Sequence, residues 1–333
     1  MNDCSDALVH AAIEEERSFA IAACGRSAQD DSLLSFLVAA GLRALYFAAL
    51  LIAATFVLTA PAYAQRAECR DAPSKILGHP VAYCVILPPS YDTSKTTRYP
   101  ILYLLHGLGG NAQQYIEGGA LDMLQDLWQQ KKIGEYLIVT PSAGRSFYIN
   151  SRDGRVRYQD FFIREFLPYI EKHYRIVPDR HHRGISGVSM GGYGALRFAL
   201  VYPQLFGSVS VHSAALVEKP PRAQLSNQQD VAIAQFLGSA FGAPFDLAYW
   251  VRESPFTIVR ERPRPRDLRI YFDCGTDDDF GFYRGAAAFD KLLTARGIPH
   301  EFHLYPGGHD WPYFARHLPA SFEFQSHAFG LTK

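Results

Sequence analysis

The segment Gly187-Val188-Ser189-Met190-Gly191 constrains this chain more than any other, because a glycine-flanked serine of this pattern sits on a sharp turn from a strand into a helix. The flanks suit that turn. Arg183–Val188 is a short, mostly apolar run fit for a buried strand, and Gly192–Leu200 has the composition of a helix. The glycines are a steric demand: the serine backbone is strained, and a side chain two residues to either side would collide with the neighbouring strand or helix. A turn built this way holds the Ser189 hydroxyl out as a candidate nucleophile.

A serine hydroxyl is a weak nucleophile near neutral pH. It needs a base within hydrogen-bond reach, and the base needs an acid to orient it. In a strand–turn–helix setting both follow the serine in chain order, which confines the search to residues after Ser189. His309 is the candidate base, since Tyr305-Pro306-Gly307-Gly308-His309-Asp310-Trp311 is a turn-rich loop directly after the strand-like Glu301–Leu304. His303 lies inside that strand, and His300, His317 and His327 have no comparable setting. The acid belongs on the loop after the preceding strand, Leu268–Gly275, where Asp277, Asp278 and Asp279 follow one another and pattern alone does not rank them.

Acyl transfer also requires two backbone N–H groups aimed at the developing oxyanion. Tyr99–Leu105 is a buried-strand pattern running into His106-Gly107-Leu108-Gly109-Gly110, so the amides of Leu108 and Met190 are the expected donors and His106 braces the loop. Phe147, Tyr148, Trp311 and Tyr313 are aromatic residues on loops near the expected site. They are candidates for an acyl or aryl pocket, with packing as the competing role.

Five motifs in this order resemble the esterase D-like "putative esterase" family of α/β-hydrolases. They are Leu87-Pro88-Pro89-Ser90-Tyr91, Leu104-Leu105-His106-Gly107, Gly187-Val188-Ser189-Met190-Gly191-Gly192, Gly275-Thr276-Asp277-Asp278 and Pro306-Gly307-Gly308-His309. The resemblance runs from about Ser74 to Phe329. It implies an α/β fold with a mostly parallel central sheet flanked by helices and a small cap-like insertion, and a serine esterase that needs no cofactor and no metal. The family's acid falls three residues after the strand-ending glycine, which selects Asp278, with Asp277 as the alternative; its first oxyanion donor carries over to Leu108. The substrate implied is a small-molecule or glycan ester, such as a feruloyl or acetyl group on a carbohydrate. Relatives leave three alternatives: acyl transfer to a sugar as in mycolyltransferases, thioester hydrolysis as in S-formylglutathione hydrolases, or carbohydrate binding on a hydrolase scaffold without catalysis.

The 33 basic and 33 acidic residues balance, which gives no reason to expect a nucleic-acid partner. Residues 1–64 read as an N-terminal extension and signal peptide, ahead of an esterase domain at 65–333. Ala44–Ala60 is an uninterrupted apolar stretch preceded by Arg43, and Ala62-Tyr63-Ala64 gives a small-x-small cleavage site near 64/65. Export to the periplasm or the medium follows; the alternative is an uncleaved anchor, the one contact with a membrane. Met1–Asp31 is too acidic for a secretory n-region, which points to a translation start after it. Export permits disulfides, and Cys69 and Cys84 are expected to pair across a hairpin of strands Glu68–Pro73 and Val81–Leu87. Cys274 reads as a small buried hydrophobe. Residues 214–265 form the insertion, with one helical piece at Asp230–Leu237. Tyr158–His173 is expected to be a core-facing helix. Nothing in the pattern speaks to oligomeric state.

Overall fold

A computed structural model describes residues 66–219 and 237–332. The apolar stretch 44–60, the cleavage site and most of the helical piece expected at 230–237 lie outside the described residues. Eight strands make one sheet: β1 Arg66–Ala72, β2 Val81–Leu87, β3 Ile101–Leu105, β4 Leu137–Pro141, β5 Arg183–Val188, β6 Ser208–His212, β7 Arg269–Gly275 and β8 Glu301–Tyr305. The helices are α1 Gln114–Glu117, α2 Ala120–Gln129, α3 from Tyr158–Phe161 through Leu167–His173, α4 Met190–Val201, α5 Leu247–Glu253, α6 Pro255–Glu261, α7 Phe282–Ala295 and α8 Trp311–Ala328.

The strand order is β1-β2-β4-β3-β5-β6-β7-β8. The first two strands are antiparallel to their neighbours and the rest run parallel, which gives the α/β-hydrolase architecture. The central strands are buried on both faces, so they carry near-continuous apolar sequence. In β3 the two-residue period sends Ile101, Tyr103 and Leu105 to one layer with Phe162 and Phe198; it sends Leu102 and Leu104 to the other with Phe314 and Phe322. Helix α3 adds Tyr158, Phe161, Phe162, Phe166, Leu167 and Ile170 to the first layer. Its π-helical turn Phe162–Phe166 brings both of those rings inward, and Phe162 stacks on Phe198 of α4 at 4.6 Å. Phe161, Phe162, Phe166 and Ile170 are fully buried, as the core-facing reading expects.

β1 and β2 place Cys69 opposite Cys84, and the two form a disulfide. The sequence separation of 15 makes this cross-link worth roughly 3 kcal/mol by loop closure. The strand before it begins at Arg66 and ends at Ala72, slightly earlier than the sequence suggests. Between 214 and 265 the described part holds a short helical stretch at 237–241 and the helices α5 and α6, which the proline-bearing composition conceals. Pro255 stands at the first position of α6, where its missing N–H has no helical partner to lose. No helix among the described residues is long and apolar enough to cross a membrane.

Candidate active site

Ser189 lies between the end of β5 and the start of α4 with φ 53° and ψ −119°, a conformation non-glycine residues rarely adopt. Close packing enforces it. A Cβ on Gly187 would lie 2.5 Å from the carbonyl carbon of Gly191, and one on Gly191 would lie 2.0 Å from the Leu105 oxygen. The Ser189 N–H donates to the carbonyl of His212 at 3.0 Å, which pins the turn to β6.

His309 reaches this serine from the loop between β8 and α8. Its Nε2 is 2.9 Å from Ser189 Oγ, and its Nδ1 is 2.7 Å from Asp278 Oδ2. Asp278 is buried on the loop after β7, where its Oδ1 accepts the N–H groups of Phe280 at 3.0 Å and Phe282 at 3.4 Å. The Cys274 thiol lies 3.6 Å from Oδ2, and burial pushes its pKa up to about 12, so it remains a neutral donor. The neighbouring carboxylates face elsewhere. Asp277 Oδ2 accepts from Thr276 and from the Gly307 N–H, and Asp279 is exposed.

The loop after β3 passes directly over Ser189: a Cβ on Gly107 would lie 3.6 Å from Ser189 Cβ. His106 braces that loop. Its Nε2 accepts the Ala143 N–H at 2.8 Å, so Nδ1 carries the proton and donates to Gly107 O at 2.7 Å. Burial pulls the pKa of this imidazole down and keeps it neutral. Gln114 Oε1 accepts the Gly107 N–H at 3.2 Å. The Leu108 amide follows Gly107 in this loop, and the Met190 amide opens α4, where the first N–H groups have no intrahelical acceptor.

Phe147 and Tyr148 take the packing role that stood beside the pocket one. They have positive φ, 50° and 60°, and this backbone turns both rings into the core. Phe147 packs on Tyr193 and Phe241, while the Tyr148 hydroxyl donates to His106 O at 3.0 Å. Both are buried, Phe147 at 4% exposure and Tyr148 at 0%. Tyr313 is likewise buried. Trp311 is half-buried, its Nε1 donating to Gly118 O at 3.0 Å.

Beneath the serine turn lies a network that sequence reasoning missed. Asp273 Oδ2 is 2.7 Å from His212 Nδ1 and 3.0 Å from the Tyr271 hydroxyl, and Oδ1 accepts from the Tyr313 hydroxyl at 2.7 Å. Both side chains of the His212–Asp273 pair are fully buried. One carboxylate thus joins β6, whose His212 carbonyl holds Ser189, to β7 and to the first turn of α8 behind His309. An acidic residue within the apolar run Leu268–Cys274 was the available signal, since a buried charge must have partners. Burial opposes ionisation of Asp273, but the His212 imidazole and the two tyrosine hydroxyls outweigh it and hold the carboxyl below its ordinary value of 3.8. A depressed folded-state pKa contributes stability that is present above pH ~4 and is lost as pH falls through the folded value. Asp273→Asn is therefore expected to cost about 3 kcal/mol at pH 7. Thermal melts should show the gap between wild type and variant narrowing toward pH 3; a constant gap would mean that the charge of Asp273 is irrelevant to the fold.

A groove of about 920 Å³ lies elsewhere, lined among others by His181, Tyr271, His303, Tyr305, Phe324 and His327. Its lining reaches Gly207, Asp267 and Pro299, just before β6, β7 and β8, the end of the sheet opposite Ser189.

Comparison with known proteins identifies the family. A family model described as "Putative esterase" matches residues 74–324. An esterase of Mycobacterium tuberculosis is 32% identical over 243 residues, covering 68% of this chain and 51% of its own length, so the chain spans about half of that relative. The acetyl esterase of Caldicellulosiruptor saccharolyticus is 26% identical over 261 residues, 76% of this chain and 95% of its own. Among solved structures, a ferulic acid esterase superposes with a TM-score of 0.68 at 30% identity, over 79% of this chain and 99% of its own. With its serine turn, histidine loop and acid loop converging at the carboxyl ends of the parallel strands, the chain belongs to the "Putative esterase" family.

Proposed function

We propose that this protein is an exported serine carboxylic-ester hydrolase that works through an acyl-enzyme on Ser189. The observation that carries the reading is the unbroken line from Ser189 Oγ through the His309 ring to Asp278, at 2.9 and 2.7 Å. Ser189 Oγ attacks the ester carbonyl as His309 Nε2 takes its proton. The amides of Leu108 and Met190 hold the resulting oxyanion, and Asp278 keeps the imidazole in the tautomer that accepts at Nε2 and stabilises the imidazolium. His309 then returns the proton to the leaving oxygen, the carbonyl–alcohol bond breaks, and the alcohol departs. Water, deprotonated by His309, releases the acid and regenerates the serine.

The ferulic acid esterase and the acetyl esterase among its relatives support a feruloyl or acetyl ester as the substrate. The Cys69–Cys84 disulfide and the apolar stretch 44–60 support export, because such cross-links persist in oxidising compartments.

Diethyl p-nitrophenyl phosphate tests the nucleophile. Attack by Ser189 forms a serine O–P bond and expels p-nitrophenolate. The expected result is one equivalent of nitrophenolate, loss of p-nitrophenyl acetate turnover, and a diethylphosphoryl mass on the Ser189 peptide. An adduct elsewhere, or turnover that survives the reagent, would overturn the reading. Rates on p-nitrophenyl acetate, butyrate and octanoate and on methyl ferulate then rank the acyl groups.

A further inference from the structure

Three phenylalanine rings pack on His309. Phe314 closes one side at 5.4 Å and is buried. Phe282 meets the imidazole at 5.3 Å and Phe280 at 4.8 Å, both edge to face. Phe280 and Phe282 are themselves stacked, 5.4 Å apart and 14° from parallel. Phe280 is nonetheless 66% exposed, the most exposed of the large hydrophobic side chains among the described residues. A single exposed apolar side chain is ordinary. This one is held at both ends, since the N–H groups of Phe280 and Phe282 both donate to the carboxylate that orients the base. Its solvent-facing surface therefore stands in a set position beside the reacting atoms.

The chemistry decides which half of an ester meets that surface. The oxyanion of the tetrahedral intermediate faces the Leu108 and Met190 amides, while the leaving oxygen must lie within hydrogen-bond reach of His309 Nε2, which returns its proton. Side chains that flank the His309 ring consequently border the alcohol half rather than the acyl half. We propose that Phe280, seated on Phe282, sets specificity for the alcohol half of the substrate by receiving a flat ring, either the C–H face of a pyranose or an aryl face. The inference rests on Ser189 being the nucleophile of an esterase. A flat ring covers the Phe280 face and removes both apolar surfaces from water, whereas a two-carbon alcohol covers little of it.

The test holds the acyl group constant and varies the alcohol. Ethyl acetate, benzyl acetate and a monoacetylated methyl xyloside are compared in the full-length wild type, Phe280→Ala, Phe280→Leu and Phe280→Trp. In the wild type at least one ring ester is preferred over ethyl acetate. In Phe280→Ala that preference in kcat/KM falls about tenfold, the yield of burying one ring face, and the fall resides in KM. Phe280→Leu retains part of the preference and Phe280→Trp retains it in full. A loss confined to the xyloside assigns the shelf to a sugar, and a loss confined to the benzyl ester assigns it to an aryl alcohol. An unchanged ratio in Phe280→Ala, or parallel losses on all three esters with a shifted pH profile, would overturn the proposal, the latter making Phe280 a shield for the His309–Asp278 pair. Failure of the esterase reading looks different: the wild type turns over none of the three, and a leaving-alcohol shelf falls with it.

Discussion

Ser189→Ala is expected to lower kcat on p-nitrophenyl acetate by about 10⁶-fold, and Asp278→Asn by about 10⁴-fold, each with the melting temperature nearly unchanged. The two losses differ because the residues do different work. Without the serine oxygen no acyl-enzyme forms, and what remains is the catalysis that the oxyanion amides give to water. Asparagine keeps the volume of Asp278 and can still accept the Phe280 N–H, but it also presents an N–H₂ group to His309 Nδ1. The imidazole then turns to its other tautomer, with the proton on Nε2 facing Ser189 Oγ, and it no longer acts as a base. Asp277→Asn is the control, since Asp277 bonds to Thr276 and the Gly307 amide rather than to His309. It should retain kcat within about threefold, the range expected when no catalytic group is removed. The Ser189→Ala, Asp278→Asn double variant should be no slower than Ser189→Ala alone, because residues that act as a unit are not additive. Equal losses for Asp277→Asn and Asp278→Asn would move the acid to a shared carboxylate pair.

The parts of this site that were legible in the sequence are those whose chemistry forces a local pattern. A serine at φ 53° with helix and strand pressed against it requires Gly187 and Gly191, so the turn announces itself. His309 was legible because its loop follows a strand and is rich in turn residues. Cys69 and Cys84 were legible because a hairpin has a register and the two fall opposite each other. Asp278 was not separable from Asp277 and Asp279 on this basis. The three differ in the direction each side chain takes within a single turn, which depends on the Phe280 and Phe282 amides, and family resemblance supplied the choice. Phe147 and Tyr148 could be read either as pocket or as packing residues for a related reason: a loop position suggests exposure, yet two successive positive φ values turn their rings inward, and no residue type there signals it. The Asp273 hub was hidden because its partners come from β6, from β7 itself and from α8, with His212 61 residues away in the chain.

Gly191→Ala is expected to be among the most damaging single methyl additions near the site. The added carbon would lie 2.0 Å from the Leu105 carbonyl oxygen, 2.5 Å from its carbon and 2.7 Å from the His106 oxygen. All three are backbone atoms at the end of β3, where the chain leaves a fully buried strand for the loop that carries Leu108. A flexible side chain could swing away from such an intrusion, but a paired strand cannot move without its neighbours. Either α4 shifts outward, carrying the Met190 amide with it, or the Gly107–Leu108 loop lifts off the serine, so both proposed oxyanion donors are at risk from one substitution. The overpacking should cost at least about 4 kcal/mol, which for a domain of this size lowers the melting temperature by roughly 10 °C. Displacing one donor should remove about 10²- to 10³-fold of kcat in the fraction that stays folded. Gly109→Ala separates crowding from backbone strain. It has φ +79° and open space around its Cβ position, so it should cost only the 1 to 2 kcal/mol of a left-handed backbone, about 2 to 6 °C. If both variants melt within a few degrees of each other, the tight approach of α4 to β3 does not hold the serine turn. If Gly191→Ala alone loses both stability and turnover, the strain at Ser189 is sustained by that contact.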